Sequence, residues 1–288
     1  MGTHSSDFAR DYELGRSAAL RELECCVLGC DYGATSWTTR REASRVAELL
    51  ELCPGARLLD VGAGSGWPGL FLARISGCDA VLVDVSLVGL RVAFDRAIAD
   101  GLEQRCQMVV ANGAALPFSD GSFDAVSHSD VLCCMPAKLS MLQACRRVAR
   151  AGAKMVFSVI ALAPSLSESE RKIAIESGPP FVDAPDDYAT LLGQTEWNLL
   201  ERSDVTKEFS QSMCTSLEGM KARANALTEV LGPAEFSERM NRRQATLAAT
   251  QAGLLKRELY VALASNREQF STKYLPRKRS DRQENQQS

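Results

Sequence analysis

From residue 40 to residue 160, segments with helical periodicity alternate with short apolar runs. In residues 40–52, for example, Ala43, Val46 and Leu50 share one face of a helix, which Pro54 then ends. The same pattern predicts helices at 68–75, 87–100 and 138–150, and strands at 57–61, 80–85, 107–110, 123–127 and 154–160. Strands that are apolar on both faces and alternate with helices are typical of a parallel sheet covered by helices.

The pattern changes after residue 163. Residues 197–206 and 257–264 predict two more strands, and about fifty residues between them have a helical composition interrupted by Gly232 and Pro233. The polar residues after 270 predict a disordered tail at 271–288. We therefore expect one α/β domain over residues 1–270, with a helical insertion at about 207–252.

The composition of the chain excludes several kinds of chemistry. The 288 residues include two histidines and carry a net charge of −3. Because His4 belongs to a polar terminus, His128 is the one candidate for a metal ligand or a histidine-dependent catalytic group, and no metal site is predicted. The acidic balance also argues against a nucleic-acid partner.

The ten cysteines stand mostly inside apolar runs, and no CxxC pair occurs. This usage predicts reduced side chains in a cytoplasmic protein. No apolar run reaches the roughly 18 residues of a membrane span, so no membrane partner is expected.

A glycine cluster connects the first predicted strand to the helix that follows it. The strand ends at Val61, glycines follow at 62, 64 and 66, and Pro68 suits the first turn of a helix. Twenty residues beyond Gly64, Asp84 closes the next strand, where a carboxylate can accept both hydroxyl hydrogens of a ribose. The pair of features predicts a nucleoside-binding site.

The same glycines admit a second interpretation. Residues 64–69 satisfy GxGxxG, the dinucleotide fingerprint, so a nicotinamide-dependent oxidoreductase remains an alternative. The register argues against it, because the first glycine of that fingerprint directly follows the strand and Pro68 would fall inside the pyrophosphate turn. Asp60 at the strand end would repel a pyrophosphate but would suit a cationic ligand.

Three motifs in consistent order resemble one known family. Residues 60–66, DVGAGSG, resemble motif I of the class I S-adenosylmethionine-dependent methyltransferases, and Asp84 resembles their ribose-binding acid. Residues 116–124, LPFSDGSFD, resemble the signature that precedes their fourth strand. The resemblance covers residues 57–160. It implies a Rossmann-like α/β fold with a seven-stranded, mostly parallel sheet, helices on both faces and a helical cap.

The resemblance also implies roles for individual residues toward S-adenosylmethionine and its product S-adenosylhomocysteine. Asp60 would hold the methionine end, and Asp84 and Val85 would lie at the ribose. Asn112, with Gly113 and Ala114, takes the place of an acidic residue that receives the adenine amino group in many relatives. Asp130 would lie beside the sulfonium. The loop residues that would contact the methionine and sugar are Gly62, Ala63, Gly64 and Gly66.

Many relatives carry a histidine near the position of Cys134, and this chain does not. A protein that binds S-adenosylmethionine without catalysing a reaction is therefore a further alternative. For an active enzyme, the resemblance implies direct methyl transfer driven by positioning and desolvation. Asp130, His128 and Tyr32 are candidates to accept a proton or orient the acceptor, although strand alternation also predicts that His128 points away. Tyr32, Trp37 and Cys134 are candidates to contact the substrate.

The acceptor is expected to be a small molecule, a metabolite or natural-product intermediate. The [DNS]PP[YFW] motif of amino-methylating nucleic-acid enzymes is missing, because Val131 and Leu132 follow Asp130. The resemblance divides the domain into an N-terminal lid at 1–45, a cofactor-binding core at 46–162 and a substrate-side half at 163–270. The acceptor atom and the oligomeric state stay open.

Overall fold

The computed structural model describes residues 3–32 and 35–265. Two helices precede the predicted core, and the chain then alternates strand and helix up to the fifth strand. The elements are α1 (Thr3–Leu14), α2 (Ala18–Leu28), α3 (Arg40–Leu49), β1 (Arg57–Val61), α4 (Gly69–Ser76), β2 (Asp79–Asp84), α5 (Leu87–Ala99), β3 (Cys106–Val110), β4 (Phe123–Ser129), α6 (Lys138–Val148), β5 (Ala149–Leu162), α7 (Glu168–Ser177), α8 (Tyr188–Gln194), β6 (Trp197–Asp204), α9 (Thr206–Ala222), α10 (Ala224–Leu231), α11 (Pro233–Gln251) and β7 (Leu255–Ala264).

The seven strands form one sheet in the order β3-β2-β1-β4-β5-β7-β6. All neighbouring pairs are parallel except those of β7, which runs antiparallel to both β5 and β6. The prediction of a seven-stranded, mostly parallel sheet is confirmed. The order reverses at β1, so the carboxyl ends of β1, β2 and β4 meet at the edge where α/β sheets bind ligands.

Most predicted elements lie within a few residues of those observed, but β5 begins at Ala149, five residues earlier than the pattern indicates. Its early part pairs Ala149 with Phe123, and the register shifts between Phe123 and Ala125. The interrupted helical segment before β7 is three helices, α9 to α11. The predicted tail at 271–288 lies outside the described residues.

Both faces of the sheet are buried, as the apolar runs predict. On β1, Leu58 packs into one hydrophobic cluster and Leu59 into the other, because successive side chains of a strand point to opposite faces. A small third cluster of Leu23, Met220 and Leu227 joins α2 to α9 and α10. The N-terminal helices therefore pack against the helices inserted between β6 and β7. No helix in the described part of the chain is long and apolar enough to cross a membrane.

Candidate active site

A cavity of about 540 Å³ opens at the carboxyl edge of the sheet. One end, which we call the glycine-loop end, is formed by residues that follow β1, β2 and β3, among them Gly64, Asp84 and Asn112. The other end, which we call the Trp37 end, lies on the opposite side of β1, towards β4 and β5. Its lining residues include Trp37, Ser129, Asp130, Cys134, Ile160 and Pro179.

The glycine loop turns sharply over the end of β2. The N–H groups of Gly62 and Ala63 both donate to the Val83 carbonyl, at 2.7 and 3.0 Å. Gly64 has a φ of 52°, and a Cβ there would come within 2.5 Å of the Tyr12 hydroxyl. Only glycine suits this position, because it has both a left-handed backbone and a ring of α1 directly above it.

Asp84 fits the predicted ribose contact. Its Oδ2 accepts a 2.8 Å hydrogen bond from the Gly64 N–H, and its Oδ1 accepts one of the same length from the Ser86 N–H. Burial raises the pKa of this carboxyl, and the hydrogen bonds from Ser86 and Gly64 oppose that rise. These backbone contacts fix the orientation of a carboxylate on the cavity wall, and the remaining lone pairs of its oxygens can accept hydroxyl hydrogens.

Asp60 does not lie on the cavity wall, contrary to the expectation that it holds the methionine end. It lies beneath the glycine loop, where its Oδ1 accepts a 2.7 Å hydrogen bond from the Ser127 hydroxyl. A Cβ at Gly69 would approach its Oδ2 to 2.5 Å, so α4 begins directly against this carboxyl. Burial raises the pKa of Asp60 to about 7. The side chain supports the loop from below rather than facing a ligand.

The adenine segment is placed only partly as expected. Asn112, Gly113 and Val85 line the cavity, whereas Ala114 does not. The Ala114 N–H instead donates to Asn112 Oδ1 at 2.9 Å, which orients the amide at the cavity mouth. Gly66 also lies off the wall, because it packs against Leu70 at the start of α4.

Asp130 reaches the cavity from an unusual backbone position just after β4. Its φ is 55°, and its N–H donates to the Ser158 carbonyl at 2.9 Å. The buried guanidinium of Arg257 binds its carboxylate in bidentate fashion, with Nε to Oδ1 at 2.9 Å and Nη2 to Oδ2 at 3.0 Å. Arg257 also contacts Glu42 at 2.9 Å. Because Arg257 occupies both oxygens, Asp130 is better placed to orient neighbours than to act as a general base.

The other two catalytic candidates lie away from the cavity. His128 is buried and stacks on Phe157 with ring centroids 4.5 Å apart, on the opposite face of β4 from Ser129. Neither imidazole nitrogen has a hydrogen-bond partner among the described residues, and burial lowers its pKa to about 3. The Tyr32 hydroxyl donates to Asp100 at 2.8 Å, and its ring packs on Trp67 outside the cavity. Neither side chain lines the cavity, so its geometry does not support the roles predicted for His128 and Tyr32.

Trp37 and Cys134 do line the cavity, as expected of substrate contacts. Two aromatic residues of α1, Phe8 and Tyr12, were not predicted and cover the glycine-loop end. Their spacing of four residues puts them on one helical face, and this was the available signal in an otherwise polar segment. Ion pairs join this helix to α11, between Asp11 and Arg239 and between Arg10 and Glu235.

Comparison with known proteins agrees with this geometry. Residues 59–157 match the family model described as a methyltransferase domain. Methyltransferase GfsG of Streptomyces halstedii is 29% identical over 172 residues, which are 58% of this chain and 62% of that protein. The chain thus spans less than two thirds of that relative. The 27-O-demethylrifamycin SV methyltransferase of Amycolatopsis mediterranei is 26% identical over 71% of this chain and 76% of its own.

Among solved structures, the [4+2]-cyclase SpnF superposes with a TM-score of 0.70 and 21% identity, over 91% of this chain and 96% of its own. The motifs, the strand order and these matches show a methyltransferase domain at residues 59–157, with the fold and motifs of the class I S-adenosylmethionine-dependent methyltransferases. The family match favours the methyltransferase prediction over the nicotinamide alternative. Because the same fold also carries a cyclase, the reaction has to be argued from the site.

Proposed function

We propose that this protein transfers the methyl group of S-adenosylmethionine to a small-molecule acceptor. The observation that carries the proposal is the pairing of Asp84 with the glycine loop. The carboxylate stands at the carboxyl end of β2, beside the crossover point of the sheet, and is locked there by the Gly64 N–H. A nucleoside bound across this crevice would present its ribose hydroxyls to that carboxylate.

The rest of the cavity suits the remaining parts of the cofactor. Beside Asn112, the cavity is lined by Gly113 and by the apolar side chains of Val61 and Met141, a surface that suits a flat base. The glycine loop leaves room for the sugar and the sulfur, and Phe8 and Tyr12 cover them from α1. The expected adenine contact is the Asn112 side chain, whose oxygen retains a free lone pair beside its bond to Ala114.

When bound, S-adenosylmethionine supplies an activated methyl group on a positively charged sulfur. In the transfer, an electron pair of the acceptor forms the new bond to the methyl carbon, and the carbon–sulfur bonding pair returns to sulfur. The residues of this chain have to bring the two reactants into line and exclude water, which lowers the barrier without a strong base. Asp130 on the wall of the Trp37 end pairs with Arg257, and Glu42, which does not line the cavity, binds the same guanidinium.

A protein that binds the cofactor without catalysis is the second candidate. It is supported by the pairing of Asp130, the carboxylate among the described residues of the Trp37 end, with Arg257, which leaves that carboxylate poorly placed to act as a base. The same cavity wall would also allow methyl transfer to an acceptor that needs no strong base. Turnover therefore has to be measured separately from binding.

The location is part of the proposal. All ten cysteines are free, five of them buried, which suits a reducing compartment such as the cytoplasm.

The test is calorimetry with S-adenosylhomocysteine and with NADH. We expect S-adenosylhomocysteine to bind and NADH not to bind. Asp84→Ala should weaken the first by about 10- to 100-fold, because two hydrogen bonds to a charged acceptor are lost. The matched control is Asp79→Ala at the exposed start of the same strand, which should leave affinity unchanged.

Binding of NADH without S-adenosylhomocysteine would reject the proposal, and equal affinities of the two aspartate variants would reject the ribose assignment. Methyl transfer from labelled S-adenosylmethionine to pooled small acceptors then separates an enzyme from a protein that only binds. Release of S-adenosylhomocysteine at the rate seen without protein would favour the second candidate.

A further inference from the structure

The Trp37 end of the cavity has almost no free charge, and from this we infer that the methyl acceptor is an uncharged molecule with a largely apolar body. The inference rests on the function proposed above and narrows its substrate class. It separates acceptors that bear an ammonium, carboxylate or phosphate group from neutral ones, a distinction that the fold itself does not make.

Of the lining residues that the structure describes, Asp84 and Asp130 carry charges. Asp84 stands at the glycine-loop end, separated from the Trp37 end by β1. At the Trp37 end Asp130 is neutralised by Arg257, whose Nε and Nη2 bind both of its oxygens. An acceptor at this end therefore meets no free carboxylate and no free cation on the described wall.

The nearest lysine is also committed elsewhere. Lys138 begins α6, directly after the wall segment that contains Cys134, but it does not line the cavity. Its Nζ donates to the carbonyl oxygens of Met135, at 2.9 Å, and Phe181, at 2.6 Å. A third hydrogen bond, from the Phe181 N–H to the Cys133 carbonyl at 2.9 Å, also joins these two backbone segments. The ammonium holds two backbone segments together and is not free to bind an anionic substrate.

The groups that do face the Trp37 end are apolar or neutral. Ile160, Pro179 and the Trp37 ring supply apolar surface, and the Ser129 hydroxyl can serve one neutral hydroxyl or carbonyl. A charged acceptor would lose its hydration without gaining a counter-charge, which disfavours it strongly, whereas an apolar body gains from the same burial.

Trp37 is the residue that we expect to determine specificity. Its ring meets Phe209 of α9 edge-on, with centroids 5.3 Å apart, and the Arg243 guanidinium of α11 lies 5.8 Å from its centre. These contacts to α9 and α11 hold the ring in place against the cavity. A wall that is held from behind in this way selects for shape and apolarity rather than for charge.

The experiment uses three probes that share one apolar body and differ only in charge. Geraniol is neutral, geranyl phosphate is an anion and geranylamine is a cation, and each is titrated into the full chain saturated with S-adenosylhomocysteine. We expect geraniol to bind at least about tenfold more tightly than either charged probe. Equal or tighter binding of a charged probe, or no binding of geraniol, would overturn the inference.

Two variants test the residues involved. Trp37→Ala should weaken geraniol about tenfold or more and leave S-adenosylhomocysteine affinity within twofold, and Trp37→Phe should restore part of the loss. Cys134→Lys should reverse the preference, favouring geranyl phosphate over geraniol, because it adds a cation to the wall. The matched control is Cys214→Lys on α9, which does not line the cavity and should keep the original order of affinities.

The results can distinguish an error in the proposed function from an error in the proposed substrate class. Absence of S-adenosylhomocysteine binding would reject the proposed function and this inference with it. Binding of S-adenosylhomocysteine together with a preference for a charged probe, or with no effect of Cys134→Lys, would reject the substrate class alone.

Discussion

The two ends of the cavity differ in how their residues are brought together. At the glycine-loop end, Gly62, Gly64 and Asp84 lie within one strand–helix–strand unit, and backbone groups hold them. At the Trp37 end, the Asp130–Arg257 pair joins residues 127 positions apart, and both partners are buried. The first end depends on local chain geometry, whereas the second depends on long-range side-chain contacts, so mutations at the two ends should have different consequences.

Arg257→Met should give the largest effect on folding. The change leaves Asp130 and Glu42 buried without their cation, and breaking a buried pair in this way costs about 3–5 kcal/mol. Urea denaturation should show that loss in the free energy of unfolding. The matched control is Arg45→Met, whose ion pair with Glu201 is exposed and should cost about 0–1 kcal/mol.

Two further substitutions test whether the uncompensated carboxylates cause this loss of stability. Adding Asp130→Asn and Glu42→Gln to Arg257→Met should recover part of the lost stability, because the uncompensated charges are then removed. If Arg257→Met costs no more than Arg45→Met, the Trp37 end does not depend on its buried pair, and the contrast between the two ends is wrong.

This contrast also explains how much of the molecule could be predicted from its sequence. Apolar runs alternating with helical segments indicate the seven strands, and the glycines with Asp84 indicate the ligand-binding edge, because both signals are local. Arg257 gives no local signal, since nothing in residues 255–264 indicates that it crosses to Asp130. Tyr12 likewise reaches Gly64 only through the packing of α1 against α5 and the glycine loop.

Several predicted site residues do not line the cavity, although their neighbours along the chain do. Tyr32 and Trp37 are five residues apart, but Tyr32 packs on the Trp67 ring and does not line the cavity, whereas Trp37 does. Asp60 and His128 lie next to cavity residues on β1 and β4, and the alternation of a strand directs them elsewhere. Proximity along the sequence therefore overestimates which side chains a ligand can reach.

The buried imidazole of His128 should make stability depend on pH. Its pKa falls to about 3 in the folded protein, against about 6.5 in an unfolded chain. Between these values the unfolded chain binds the proton and the folded chain does not. The free energy of unfolding should therefore fall as the pH is lowered below 6.5, by up to about 1.4 kcal/mol per pH unit.

The measurement is urea denaturation at pH 7.5 and pH 5.5 for the protein and for His128→Leu. The comparison isolates the histidine because Asp60 acts in the opposite direction: its pKa rises to about 7, so acid stabilises the folded state through that carboxyl. His128→Leu should be relatively more stable at pH 5.5 than at pH 7.5. An identical difference at both pH values would show that His128 is not buried as a neutral ring.

The smallest effect is expected where α1 covers the glycine-loop end. Arg239 of α11 contacts Asp11 of α1 and also Glu235, and both carboxylates remain partly exposed. Arg239→Gln should loosen this contact by less than about 1 kcal/mol, because the pair is near the surface. Dissociation of S-adenosylhomocysteine, followed by stopped flow, should become faster by up to about fivefold.

The matched control is Arg242→Gln, exposed on the same helix, which should leave that rate unchanged. Equal rates for both variants would mean that α1 does not retain the ligand through Arg239. The glycine-loop end would then be covered through the other contacts of α1, the packing of Phe8 and Tyr12 and the Arg10–Glu235 ion pair.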